Sequence, residues 1–588
     1  MSNESGIPTP SAPGVCTAAL LIDGEEISGV FHLLSATVSR ELNRIPTAII
    51  HLSDGEAAKA TFPASNTTHF IPGRKIEVRL GYRSENETIF QGIIIKHSIK
   101  IRRNGNQLRI ECRDSAFKMT GNIRSRFHTD KKDSEIMEEL INNHGLTADV
   151  EATLPELKSA VQYEASDWDF LLCRAEANGM VVLVEDGSIR VAPPVADEEP
   201  VVVVGYGNTL LELDAEIDAR QQSKGIKADT WNAAEQDVMS VNAEEPAAAD
   251  SGNLAPADLA EIGDRDPHAI HHGGGLDQTE LQVWADGRLL RERLAKIRGR
   301  AKFQGFAGIL PGNIIELTGI GDRFAGHLYV SGVRHSLGGG NWETDVQFGL
   351  NPDLFAETYN LRPLPAAGLL PGVGGLQIGI VTALEEDPEG EDRIKVRLPL
   401  VSSEEEGIWA RLATLDAGDG RGTFFRPDIG DEVIVGFLND DPRHPVVLGM
   451  LHSSAKPAPE PAQDDNYRKG YISREKMQFV FDDEKKVITL ETPGGNKLIL
   501  SEDETAVLLQ DQNDNKITLN ADGITLESAK NLILKAANDV KVEGVNAEVQ
   551  AQSAFKASAT GSAEVSGAEA TLKGNASTII QGGIVQIN

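Results

Sequence analysis

The chain has 588 residues, of which 40% are hydrophobic and 25% charged, with 57 glycines and 27 prolines. At roughly 150 residues per domain this is about four folding units, without the charge excess of a disordered chain or the glycine period of collagen. Fifty-six Lys and Arg face 89 Asp and Glu, a formal charge of -33, which repels nucleic-acid backbones and anionic membrane surfaces, so no nucleic-acid partner is expected.

The first positive side chain is Arg40, so the N-terminus shows no basic region of a secretory signal. No apolar run reaches the roughly 18 residues of a spanning helix. Cys16, Cys112 and Cys173 are too few and too distant for a disulfide framework, and a reducing cytoplasm is the expected place of synthesis.

Residues 1–16 are expected to be flexible. From 17 to 114, short apolar alternations such as KIEVRL at 75–80 and QLRIEC at 107–112 predict antiparallel strands. An α/β insertion is expected over 115–215. Ile136, Met137, Leu140 and Ile141, followed by Gly145, predict an amphipathic helix, and a second runs from a Ser166 cap to Gly179. Strands at 180–184 and 188–191 flank Glu185, Asp186 and Gly187, a hairpin signal. Residues 221–278, rich in Ala, Glu, Asp, Pro and Gly, predict a mobile acidic linker without a packed element. A helix from about 278 to 298 and strands near 314, 328 and 346 make a second barrel over 279–365.

Breakers mark a linker at 366–376. Five short strands over 377–455 predict a small closed barrel, and a second linker covers 456–474. The last part, 475–588, carries apolar doublets, Ile517/Leu519, Ile524/Leu526, Leu532/Leu534 and Val540/Val542, spaced by seven, eight and eight residues. This internal repeat continues past Gly544 as alternation shrinking towards Ala. Such short strands cannot cover their inner face or edges in one chain, whereas several identical chains wound into a prism can.

The string GTFFRPDIGDEVIVGFLNDDPRHPVVLG at 422–449 resembles the OB-fold of the VgrG-like spike proteins of contractile injection systems, and its motif residues here are Phe424, Phe425, Pro427, Gly430, Asp431, Asp441 and Pro442. Residues 70–82, 163–170, 311–313 and 330–335 are similar to the hub-like part of the same family, so the resemblance covers 17–588. It implies a mainly β fold: phage hub-like β-barrel domains over 17–365 with a small α/β insertion, an OB-fold barrel, and a C-terminal intertwined trimeric β-helix needle. It implies a homotrimeric structural spike and hub that joins inner tube and baseplate proteins to a membrane-piercing needle. The machine would be assembled in the bacterial cytoplasm, cell-attached or released as a particle, and its spike delivered into a target envelope. Type VI secretion and extracellular phage-tail-like particles share this organisation, and both readings stand. A PAAR-type tip protein is expected at Ile584, Val585, Gln586, Ile587 and Asn588, where closure of the prism is the other reading. Effector cargo is a further implied partner.

No catalytic, cofactor or metal residue is expected, and the chain is not read as an enzyme. About twenty residues separate barrel from needle and none follows Asn588, so no built-in enzyme domain is expected. The competing reading is a tailspike-like glycan hydrolase on the trimeric β-helix, but Glu548, Glu564 and Glu569 sit in the solvated phase of the alternation. Gly205, Gly207 and Leu210 lack the third glycine of a dinucleotide fingerprint and predict a turn. Residues 418–422 predict a flexible loop, and His268, His271 and His272 lack a recognised ligand spacing. Phe424 and Phe425 are expected in the barrel core or in packing between subunits.

Overall fold

The computed structural model describes residue 7 and residues 15–27, 29–103, 105–247, 251–263 and 266–587. It divides into two compact units, residues 1–372 and 373–588.

The first unit is built on a 13-stranded sheet. Its first half, from Cys16–Ile22 to Gly105–Arg113, alternates buried and exposed residues and covers a core that includes Val38, Ile50, Phe90 and Ile110. Its second half covers another core that includes Phe303, Ile315, Val346 and Phe348. The strands Gly326–Gly338 and Leu33–Glu41 pair antiparallel and join the halves, with Val333 opposite Arg40. Val202–Gly205 and Leu210–Ile217, expected inside the insertion, belong to this second half: they pair with Ile314–Thr318 and Ile297–Gln304.

Helices α1 (Asp133–Asn142) and α2 (Asp167–Ala177) form where the apolar spacing predicts them. The Ser166 hydroxyl accepts from the Asp169 N–H at 3.0 Å, capping α2. Asp186 and Gly187 turn the hairpin between Val181–Glu185 and Ser188–Ala192 with positive φ. Beyond the turn, Asp186 accepts from the buried Arg40 at 2.8 Å, holding the insertion on the sheet.

The expected linker 221–278 contains packed structure. Helix α3 (Pro256–Ile262) lies in it, and Ile226–Asn232 pairs with Asp237–Asn242 and His268–His272. Ile226, Ala228 and Val241 pack under Leu281, Ala285 and Leu289 of α4 (Gln278–Leu294). The acidic side chains that dominate the composition lie outside a small core that α4 completes. The Asp250 end of the acidic run falls in residues 248–250, outside the described residues.

Glu176 ties these parts together. Its carboxylate accepts from Asn43 Nδ2 at 3.1 Å, from Arg291 of α4 at 2.7 Å, and from the N–H of Phe355, the first residue of α5 (Phe355–Thr358), at 2.7 Å.

The second unit contains no α-helix among its described residues. It consists of a closed five-stranded barrel, a small hairpin, and a seven-stranded antiparallel meander from Arg468–Ile472 to Gly523–Glu527. No helix among the described residues is long and apolar enough to cross a membrane.

Candidate functional site

The barrel strands Gln377–Ala383, Ile394–Arg397, Ile408–Leu412, Glu432–Phe437 and Pro445–Met450 enclose a core of Val381, Ile394, Val396, Ala410, Val433, Val435 and Val447. Small β-branched residues suit so narrow an interior. The motif residues hold its turns. Gly430 takes φ +89°, and its N–H donates to Val381 O at 2.7 Å. Asp431 accepts from the Asp428 N–H at 2.9 Å and pairs with Lys456 at 3.1 Å. Asp441 is gripped by Arg443 through Nε at 3.0 Å and the terminal nitrogen at 2.6 Å, which lowers its carboxyl to about 2. Pro427 is buried and Pro442 half-buried.

Phe424 and Phe425 are not in the core: they are 78% and 55% exposed. Phe425 instead meets Tyr471 of the first meander strand, with ring centroids 4.8 Å apart. Residues 418–422, expected as a flexible loop, form a tight hairpin pinned by Arg421 to Asp416 at 2.8 Å.

The meander presents two continuous apolar rows. Cross-strand partners share a sheet face, and the register aligns Phe481, Ile488, Leu500, Val507, Leu519 and Ile524 in one row. The second row is Phe479, Leu490, Leu498, Leu509, Ile517 and Leu526. Residues two apart on a strand point the same way, so both rows lie on one face. Leu500 is 41% and Leu509 50% exposed, and nothing among the described residues covers that face. The doublets Ile517/Leu519 and Ile524/Leu526 belong to it. The sequence reading missed the four doublets upstream, from Phe479/Phe481 to Val507/Leu509, although they carry the same one-residue spacing.

Past Glu527 the described residues form no strands, and the large apolar side chains stand in solvent. Ile584, Val585 and Ile587 are 87%, 47% and 83% exposed. Gln586 is exposed too, as are Glu548, Glu564 and Glu569, and Asn588 lies outside the described residues.

Gly205 and Gly207 form a turn, with the Gly205 N–H donating to Thr209 Oγ1 at 2.9 Å. The three histidines diverge: His268 meets Glu292 at 3.2 Å, His271 meets Asp229 at 3.4 Å, and His272 meets Gly274 O at 2.8 Å. Among the described residues no cluster of His, Cys, Asp and Glu is arranged to hold a metal ion.

Family comparison agrees with this geometry. Residues 377–452 match the type VI secretion system/phage-baseplate injector OB domain, and residues 487–588 match the phage baseplate V C-terminal trimerisation domain. This is the architecture of a VgrG-like spike. The chain belongs to the family of the Alg8 N-terminal domain, whose model matches residues 12–338. It is similar to the type VI secretion system spike protein VgrG1b of Pseudomonas aeruginosa, 29% identical over 31% of this chain and 26% of that protein. It is also similar to the spike protein VgrG3 of Vibrio cholerae, 30% identical over 26% of this chain and 16% of that one. The matches thus span about a quarter or less of the length of these relatives. Among solved structures, a tail protein from Neisseria meningitidis aligns over 59% of this chain and all of its own, at 14% identity and a TM-score of 0.44.

Proposed function

We propose that this protein is the structural spike and hub of a contractile injection system, and that it works as a homotrimer. The observation that carries this reading is the uncovered apolar face of the meander. Twelve aligned apolar residues on one side of a single sheet are not stable against water in one chain. Three copies can close them into a prism, which also pairs the strand edges. The match of this segment to a trimerisation domain supports the same reading.

In this reading the hub region meets the inner tube and baseplate, and the closed needle resists buckling as contraction drives it through a target envelope. Residues 584–588 receive a PAAR-type tip protein, and effectors travel as cargo. Assembly takes place in the bacterial cytoplasm. The chain's own work is mechanical, without catalysis.

The test is the solution mass of the full chain by light scattering, beside Leu500→Asp/Leu509→Asp and a chain truncated before Asn513. The expected mass is three times 63.3 kDa, falling to the monomer or giving way to aggregates in both variants. A stable monomer in all three forms overturns the reading.

A further inference from the structure

The strands Glu85–Arg102 and Gly105–Arg113 form a long hairpin whose tip concentrates positive charge in an otherwise acidic chain. Lower on the hairpin, Lys96 and Arg109 share Glu111 at 3.5 and 2.8 Å. At the tip, Lys100, Arg102 and Arg103 are exposed and none forms an ion pair among the described residues. Ile99 and Ile101, which alternate with Lys100 and Arg102 along the strand and so take its other face, are 48% and 60% exposed. Three unneutralised cations at the tip of a hairpin suit an acidic surface.

The same unit carries such a surface. Asp197, Glu198 and Glu199 are consecutive, exposed and without an ion pair among the described residues, flanked by Val195 and Val201 at 42% and 45% exposure. This loop leads into Val202–Gly205, in the half of the large sheet opposite to that of the hairpin. No ion pair joins the two patches within one chain. A cyclic trimer needs two different, complementary patches per copy, since each copy meets one neighbour with one face and the other neighbour with another.

We infer that the hairpin tip, residues 99–103, of each copy docks on the acidic loop, residues 197–199, of a neighbouring copy and closes the hub as a ring. This rests on the homotrimer proposed above. Net charge opposes association of chains that each carry -33. A local contact of opposite sign offsets that repulsion and fixes which faces meet.

The test uses the full chain with a benzophenone amino acid in place of Ile101, irradiated and mapped by mass spectrometry, with light scattering of the same sample. The expected result is a trimeric mass and an adduct between copies within a few residues of Glu198. Lys100→Glu/Arg102→Glu/Arg103→Glu should lower the adduct about fivefold or more, and adding Asp197→Lys/Glu198→Lys/Glu199→Lys should restore it. A trimeric mass with no adduct between copies, or with one mapped elsewhere, overturns the docking and leaves the trimer standing. A monomeric mass overturns both. An adduct insensitive to charge reversal overturns the electrostatic basis and with it the inference.

Discussion

Gly179 and Gly287 meet backbone to backbone: a Cβ built on Gly287 stands 2.5 Å from Gly179 Cα, and one built on Gly179 stands 2.8 Å from Gly287 Cα. Gly179 ends α2 at φ +66°, with its N–H donating to Glu176 O at 3.1 Å and that of Met180 to Ala175 O at 2.9 Å. Gly287 lies in the middle of α4. On propensity alone, Gly287→Ala stabilises by about 1 kcal/mol. Here a methyl group pushes against backbone that cannot rotate away, at a cost of about 1 to 3 kcal/mol. The contact outweighs the propensity, so the variant is expected to unfold at lower urea than the parent at equal protein concentration. A higher midpoint would mean that the helices do not approach this closely.

That contact was not legible in the sequence, and the reason is physical. Gly179 announces itself as a helix stop because it closes the helical stretch that starts at the Ser166 cap and runs through Trp168, Phe170, Leu171 and Leu172. Nothing local tells that Gly287, about a hundred residues on, needs the same space. The closed barrel and the helices α1 and α2 were legible, because their signals are short-range: alternation, a serine cap, a glycine stop. The segment 221–278 was not, because its core of Ile226, Ala228 and Val241 is completed by α4, while its acidic residues dominate the composition. Of the six doublets on the apolar face of the meander, the last two were legible. Doublets from Ile517 on were recognised at their intervals of seven and eight, whereas the earlier ones, just as regular but nine or ten residues apart, fell outside that period. Of the two places expected for Phe424 and Phe425, the barrel core is excluded, since this barrel fills its core mainly with valines, and packing between subunits stays open to them.

His335 should make stability depend on pH. It is 3% exposed, with Nδ1 3.1 Å from Thr344 Oγ1. Burial, and then the positive charge of Arg40, lower its pKa from 6.5 to about 3. Between those values the unfolded chain binds a proton that the folded chain does not. Stability is therefore full above about pH 6.5 and is lost as pH falls towards 3, by up to about 1.4 kcal/mol per pH unit. Urea midpoints of the parent should drop between pH 6.5 and 4.5, while His335→Gln gives a flatter profile. Equal slopes in the two proteins would refute the assignment.

Asp133 and Arg174 bind α1 to α2. Arg174 Nε and its terminal nitrogen each lie 2.6 Å from an Asp133 oxygen, and Asn178 Nδ2 donates to the same carboxylate at 2.8 Å. The Asp133 side chain is 2% exposed. Asp133→Ala leaves a largely buried guanidinium without its anion and should cost about 3 kcal/mol. Paired Asp133→Leu/Arg174→Met should recover part of that loss, since it removes both charges together. A single variant as stable as the parent in thermal unfolding would show that the pair contributes little.

Ile584 and Ile587 distinguish the two roles open to the end of the needle. Both are more than four-fifths exposed in the single chain, and a trimer brings three copies of each together. If they dock a tip protein, Ile584→Asp/Ile587→Asp leaves the trimeric mass unchanged. Capture of a PAAR-type protein then weakens at least about tenfold, the equivalent of about 1.4 kcal/mol, because aspartates at an apolar contact lose their water without gaining a partner. If the same residues instead close the prism, the variant loses trimer in light scattering before any question of binding arises. Unchanged mass together with unchanged capture would remove both roles from these side chains and move the docking surface elsewhere on the needle.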